Sequence, residues 1–294
     1  MTLLVQQVCD ILIFILSVIK FLIRSKAALV NRLKMLDLHF FTAINHRLTH
    51  ANDFFVTSLV TAPLERDDSG STVVSSVDGV NVTRTIIRQL DIVGLIEEDC
   101  MSVVIALLCK RNDRIVTAYS DIHDSAPTFV RLKSNLFFQT NFFNFLNSEG
   151  IHAIDELKVL FPQLGQDSKM IGYICIVIKK DAYWDVLIIC SETKTIQFIH
   201  HRPGDTGAIK NRYEEVFNTF ANQYFSSGVA VLWQCSYYSV TNLIELANDF
   251  DSGMLAIASL YYLAAESPIT TKVCDLQNLR KKIAYWMLSE MLPM

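Results

Sequence analysis

No two cysteines of this chain are separated by two residues, and the seven present (Cys9, Cys100, Cys109, Cys175, Cys190, Cys235 and Cys274) are odd in number. The missing C-x-x-C spacing argues against a zinc cluster, and the odd count argues against a secreted disulfide framework. Most of these thiols lie in apolar runs, as buried reduced cysteines do. The expected setting is therefore an intracellular, reducing compartment, cytosol-facing or nuclear. The glycosylation sequon Asn81-Val82-Thr83 has no meaning in such a compartment. A strong charge of one sign is also lacking: the formal net charge is -4, which gives no reason to expect nucleic acid as a partner. No internal repeat is visible. No metal site or cofactor is expected.

What is present is a chain of 294 residues with 51% hydrophobic residues, enough for one large domain or two small ones. Its charge is uneven. Residues 1–50 hold six basic side chains against Asp10 and Asp37, a balance of +4 that leaves -8 for the remainder. Within that basic region, residues 3–23 read LLVQQVCDILIFILSVIKFLI, long enough to span a bilayer but interrupted by Gln6, Gln7, Asp10 and Lys20. The segment lacks the cleavage site of a signal peptide, and basic residues follow it. It reads as a membrane anchor, as an interfacial helix, or as a helix buried on the rest of the protein.

Residues 28–60 have a helical pattern, and 61–84, rich in Ser, Asp and Gly, read as a linker. From 85 onward short helices are expected at 86–96, 101–109, 136–146 and 153–161. Three strand-like runs follow: YICIVI (173–178), WDVLIIC (184–190) and TIQFIH (195–200), with polar turns between them as a meander requires. A helix over 212–225, a strand over 229–233, a helix opening at Cys235 and two closing helices, 254–265 and 275–290, complete the pattern. The fold class is α+β, with helices packed on a mostly antiparallel sheet.

Four stretches carry a resemblance. GLIEEDCMSVVIALL (94–108) is similar to a helix opening W-L-x-D, and NLFFQTNFFNFLNSEG (135–150) to a helix marked F-F-x-x-L. YICIVIKKDAYWDVLIICSETKTIQFIHH (173–201) is similar to a meander carrying H-W-x-L and then Asp, and WQCSYYSVTNLIEL (233–246) to a helix start D-C-G-V-F. In this order they resemble the ubiquitin-like-protease (Ulp) family of cysteine peptidases, the SUMO proteases and their relatives. The likeness covers residues 90–265 and implies a Ulp-like fold with its nucleophile at a helix start.

Carried across residue by residue, the resemblance puts the nucleophile on Cys235, where a helix dipole would favour the thiolate. The general-base His falls on Tyr183, ahead of Trp184. The base-orienting Asp falls on His200 or His201, and the oxyanion Gln near Val229. Gln234 stands for the Asp before the nucleophile and Ser236 for the Gly after it. Trp184, Trp233 and Gln234 are the implied binding residues. Tyrosine, with an ordinary pKa near ~10, is a poor acceptor for a thiol proton at neutral pH. Loss of the oxyanion Gln costs a further ~10²–10³ in rate. An inward His200 or His201 could replace the base if it reached Cys235.

Two functional classes follow from the resemblance. One is a thiol peptidase that processes or deconjugates a SUMO- or ubiquitin-like protein through Cys235. The other is a pseudoprotease that keeps the fold to bind such a modifier or another protein. The replaced acid–base groups favour the second, because that chemistry is the hardest part to substitute.

Overall fold

The computed structural model describes residues 71–91, 94–123, 133–148, 154–181, 183–200, 207–225, 231–239, 251–264 and 276–290. The apolar segment 3–23 and the helical pattern at 28–60 lie outside these residues. Among the described residues no helix is long and apolar enough to cross a membrane.

The first described element is a hairpin, where the sequence led us to expect a linker. Strands β1 (Val73–Val77) and β2 (Val80–Thr83) pair antiparallel. The turn between them uses Asp78 and Gly79, both at positive φ (49° and 80°), which is the backbone that Asp-Gly supplies to a two-residue hairpin. The polar composition hid the pattern, because only Val77 and Val82 point inward. Both are fully buried in the core. Thr83 then caps the short helix α1 (Arg84–Arg88), its hydroxyl accepting from Ile86 N at 3.3 Å. Helix α2 (Glu98–His123) opens on Glu98 and Asp99, acidic residues that suit the positive end of its dipole.

A second correction falls at 134–148. The aromatic run expected as one helix is a strand, β3 (Ser134–Phe138), followed by helix α3 (Thr140–Ser148). Leu136, Phe137 and Phe138 are all buried, as in a strand covered on both faces. The meander is as expected: β4 (Ile171–Lys180), β5 (Tyr183–Cys190) and β6 (Thr195–His200), preceded by helix α4 (Ile154–Leu160). Helix α5 (Gly207–Phe225) leads to the last strand, β7 (Gln234–Ser239). Helices α6 (Ser252–Ala264) and α7 (Leu276–Ser289) close the chain.

The sheet order is β3-β4-β5-β6-β7. The inner pairs are antiparallel, and the two outer pairs, β3/β4 and β6/β7, are parallel. Alternation along the strands builds two cores. Cys175, Val177, Trp184, Val186 and Ile188 pack under α2, α6 and α7. Ile174, Ile176, Leu187, Ile189 and Phe198 pack under α3 and α5, where Phe142, Phe217 and Phe220 meet them. The mixed α+β class and the mostly antiparallel sheet are as the sequence indicated.

If the hairpin is part of the core, Val82→Ala should lower the unfolding free energy by on the order of 2 kcal/mol, through lost burial and a residual cavity. Val74→Ala, on the exposed side of the same hairpin, should change it by less than about 0.5 kcal/mol. Urea titration of both variants measures the difference.

Candidate functional site

Cys235 does not open a helix. It is the second residue of β7, paired in parallel with Ile196 of β6. WQCSYYS alternates, so Trp233, Cys235 and Tyr237 turn toward the α5 core while Gln234 is exposed. Aromatic residues at a period of two favour this pleated surface over a helix. The thiol therefore lies within a strand and not at a helix start. Its sulfur instead accepts a hydrogen bond from Asn218 Nδ2 of α5 at 3.4 Å.

The replacement base does not reach it either. His200 pairs with Ser239, and Cys235 with Ile196, so four residues of strand separate them. At the usual rise that is about 13 Å, far beyond hydrogen-bond reach. His201 and Val229 lie outside the described residues. The expected binding residues are also divided. Gln234 pairs with Thr195 at one end of β6, while Trp184 lies near the other end, where Asp185 pairs with His200. Trp233 is buried against Phe225 (5.6 Å between ring centroids), with Lys194 Nζ 4.9 Å from its ring centroid.

His200 has a partner of its own. Its Nδ1 lies 3.3 Å from Asp185 Oδ2, and its ring stacks beside Tyr237 at 6.3 Å. The residue is 6% exposed, and its Nε2 meets no hydrogen-bond partner among the described residues. The family pattern places a His on the strand that starts at 183 and an Asp on the next. Here Asp185 is on β5 and His200 on β6. The pair faces α5, whereas α6 lies on the other face.

Asp251-Ser252-Gly253 stands at the start of α6. It matches D-C-G with a hydroxyl in place of the thiol. Its signal in the sequence is the tripeptide D-S-G ahead of the apolar run MLAIASLYYL. Ser252 is buried. Gly253 allows a close approach: a Cβ there would lie 2.5 Å from Ile96 Cβ. The carbonyl of Ile96 accepts from Trp184 Nε1 at 2.9 Å. The start of α6, the start of β5 and the entry to α2 thus meet at Ile96.

Beside this junction lies a cleft of about 80 Å³. Glu98 and Met101 line it from the 94–108 stretch, Gln139, Thr140 and Asn141 from the 135–150 stretch, and Val177 and Trp184 from the meander. Three of the four stretches that carried the resemblance converge there. Thr140 pins α3 to the sheet, its Oγ1 donating to Val177 O (3.3 Å) and accepting from Lys179 N (3.0 Å). Lys179 pairs with Glu97 and lies 5.7 Å from the Trp184 ring centroid. Burial pushes Cys109 and Cys175 up to about 12, and raises Cys100 as well.

No protein-family model and no curated protein matches the sequence. Solved structures do match. The SUMO protease Ulp1 with its catalytic cysteine oxidised to a sulfenic acid superposes with a TM-score of 0.64 at 14% identity, covering 84% of this chain and 97% of that one. The C-terminal Ulp1 protease domain in complex with Smt3, the yeast ortholog of SUMO, gives the same values. The catalytic domain of the Chaetomium thermophilum Ulp1-like SUMO protease gives 0.58 at 16% identity, over 84% and 91%. The chain has the Ulp-like cysteine-protease fold.

Gly253→Ala should test the junction. The added methyl group meets a backbone-proximal atom of Ile96, so Ile96 must move and the indole bond of Trp184 must loosen. A loss of about 1–3 kcal/mol is expected in chemical denaturation. Gly165→Ala, where a Cβ meets nothing within 4 Å, is the control and should leave stability within about 0.5 kcal/mol.

Proposed function

We propose that this chain is a protease-fold binding module without peptidase turnover, and that the cleft beside Trp184 takes the extended C-terminal tail of a ubiquitin-like modifier. The observation that carries this reading is the composition of the helix start. Aligned on the family pattern, the thiol position would fall on Ser252 at the start of α6 and the base position on Tyr183 at the head of β5. A serine hydroxyl needs an adjacent base to become a nucleophile, and tyrosine is a poor one at neutral pH. The Asp185–His200 pair lies on the α5 face and stacks on Tyr237, away from α6.

The cleft supports binding in a different way. Its walls come from the same stretches as in the resemblance, and its rim offers exposed polar groups at Glu98 and Asn141 to an extended main chain. Smt3 is the partner crystallised with the similar Ulp1 domain. A SUMO-type protein is therefore the first modifier to test.

The full chain should be treated with SUMO-type and ubiquitin-type probes carrying a C-terminal electrophile, and with the unmodified proteins in calorimetry. The expected result is no Cys235-dependent adduct and no turnover, with saturable binding of one modifier. Glu98→Arg or Asn141→Arg, each placing a long cation across the mouth of the cleft, should weaken that binding about tenfold or more. Ser252→Cys, which restores a thiol at the helix start, should gain an adduct with the probe of the modifier that binds. An adduct lost in Cys235→Ala would overturn the reading. So would a folded protein that binds neither modifier.

A further inference from the structure

Arg280 lies on α7, outside the cleft, and is 2% exposed. Its guanidinium makes contacts that join two parts of the molecule. Nη1 donates to the carbonyls of Gln89 (3.2 Å), Asp91 (3.0 Å) and Gly94 (3.0 Å). Nη2 donates to Asp251 Oδ1 at 3.3 Å. The planar fork of an arginine allows this; a lysine ammonium has three donors and no fixed plane.

Each side of the fork leads to the cleft. On the first, Gln89 is held by its carbonyl and passes the constraint through its side chain. Gln89 Oε1 accepts from Glu97 N (2.9 Å), and Nε2 donates to Asp99 Oδ1 (2.8 Å). That fixes the first turn of α2, which supplies Glu98 and Met101 to the cleft wall. On the second, Asp251 precedes the first residue of α6. Gly253 of that turn bears on Ile96, and Ile96 O holds the indole of Trp184. One buried side chain thus ties the α2 wall and the Trp184 wall to a single point.

We infer that Arg280 is a positioning residue that sets the spacing of the cleft walls without touching whatever lies between them. This rests on the proposed binding function only for its effect on affinity; the geometric effect stands by itself. Loss of the fork frees Gln89, with the first turn of α2 that it holds, and the α6 start to shift independently. The Trp184 indole, at the end of one arm, reports that shift.

The test is the indole ¹H–¹⁵N spectrum of the full chain. The chain has three tryptophans, and Trp184→Phe assigns the resonance of interest. Arg280→Lys keeps the charge but not the fork. It should unfold cooperatively, move the Trp184 indole resonance and leave that of Trp233, on the opposite face, in place. Gln89→Ala cuts one arm without removing a buried charge, so it should move the same resonance and carries the test if Arg280→Lys does not fold. Both variants should weaken binding of the modifier found above by about tenfold. An unmoved Trp184 resonance in folded Gln89→Ala or folded Arg280→Lys overturns the inference. A moved resonance in a protein that binds no modifier upholds the positioning role and sinks the binding function instead.

Discussion

The site depends on one close contact, that of the α6 start on Ile96. Gly253 has no side chain because Ile96 occupies the space where one would be. Ile96 is fixed in turn by its carbonyl, which accepts the indole proton of Trp184 in a buried environment. A buried indole N–H left without a partner costs about 1–3 kcal/mol, so the bond and the close packing support each other. Through this residue the helix that carries Ser252, the strand that begins with Tyr183 and the helix that carries Glu98 take up fixed relative positions. The Arg280 fork closes the same assembly from the other side of the α6 start.

The parts of the fold legible in the sequence were those in which one period dominates. The meander from 171 to 200 alternates cleanly and is broken by polar turns, so its strands were placed within two residues. β7 differs from the expected helix opening at Cys235, because Trp233, Cys235 and Tyr237 fall on one face at a period of two. β3 was hidden for another reason. A parallel edge strand buried on both faces shows no alternation, and a short apolar run then looks like the start of the helix after it. The hairpin at 73–83 escaped because only two of its residues enter the core. Its Asp-Gly turn was the one local sign.

The candidate site was legible in outline and misplaced in detail. Trp184, Tyr183 and His200 came from a stretch whose length fits the pattern without gaps, and the structure puts them at one end of the sheet. Cys235 came from a search for a thiol. The position that matters is defined by the backbone, a helix start facing a tight approach, and the sequence marks that approach by Gly253. A reading built on the glycine would have reached Asp251-Ser252-Gly253 whatever residue stood between.

Fold and chemistry separate here for a physical reason. Trp184, Val177, Met101 and Thr140 line the cleft, but each is also buried core, so packing alone is enough to retain them. Identities of 14–16% to the SUMO proteases are compatible with the same fold, and fold does not fix activity. A hydroxyl differs from a thiol, and a phenol from an imidazole, above all in acid–base behaviour. Burial also separates the positions: Ser252 is packed at the start of α6, while Glu98 and Asn141 stand exposed at the cleft rim, where substitution leaves the core intact.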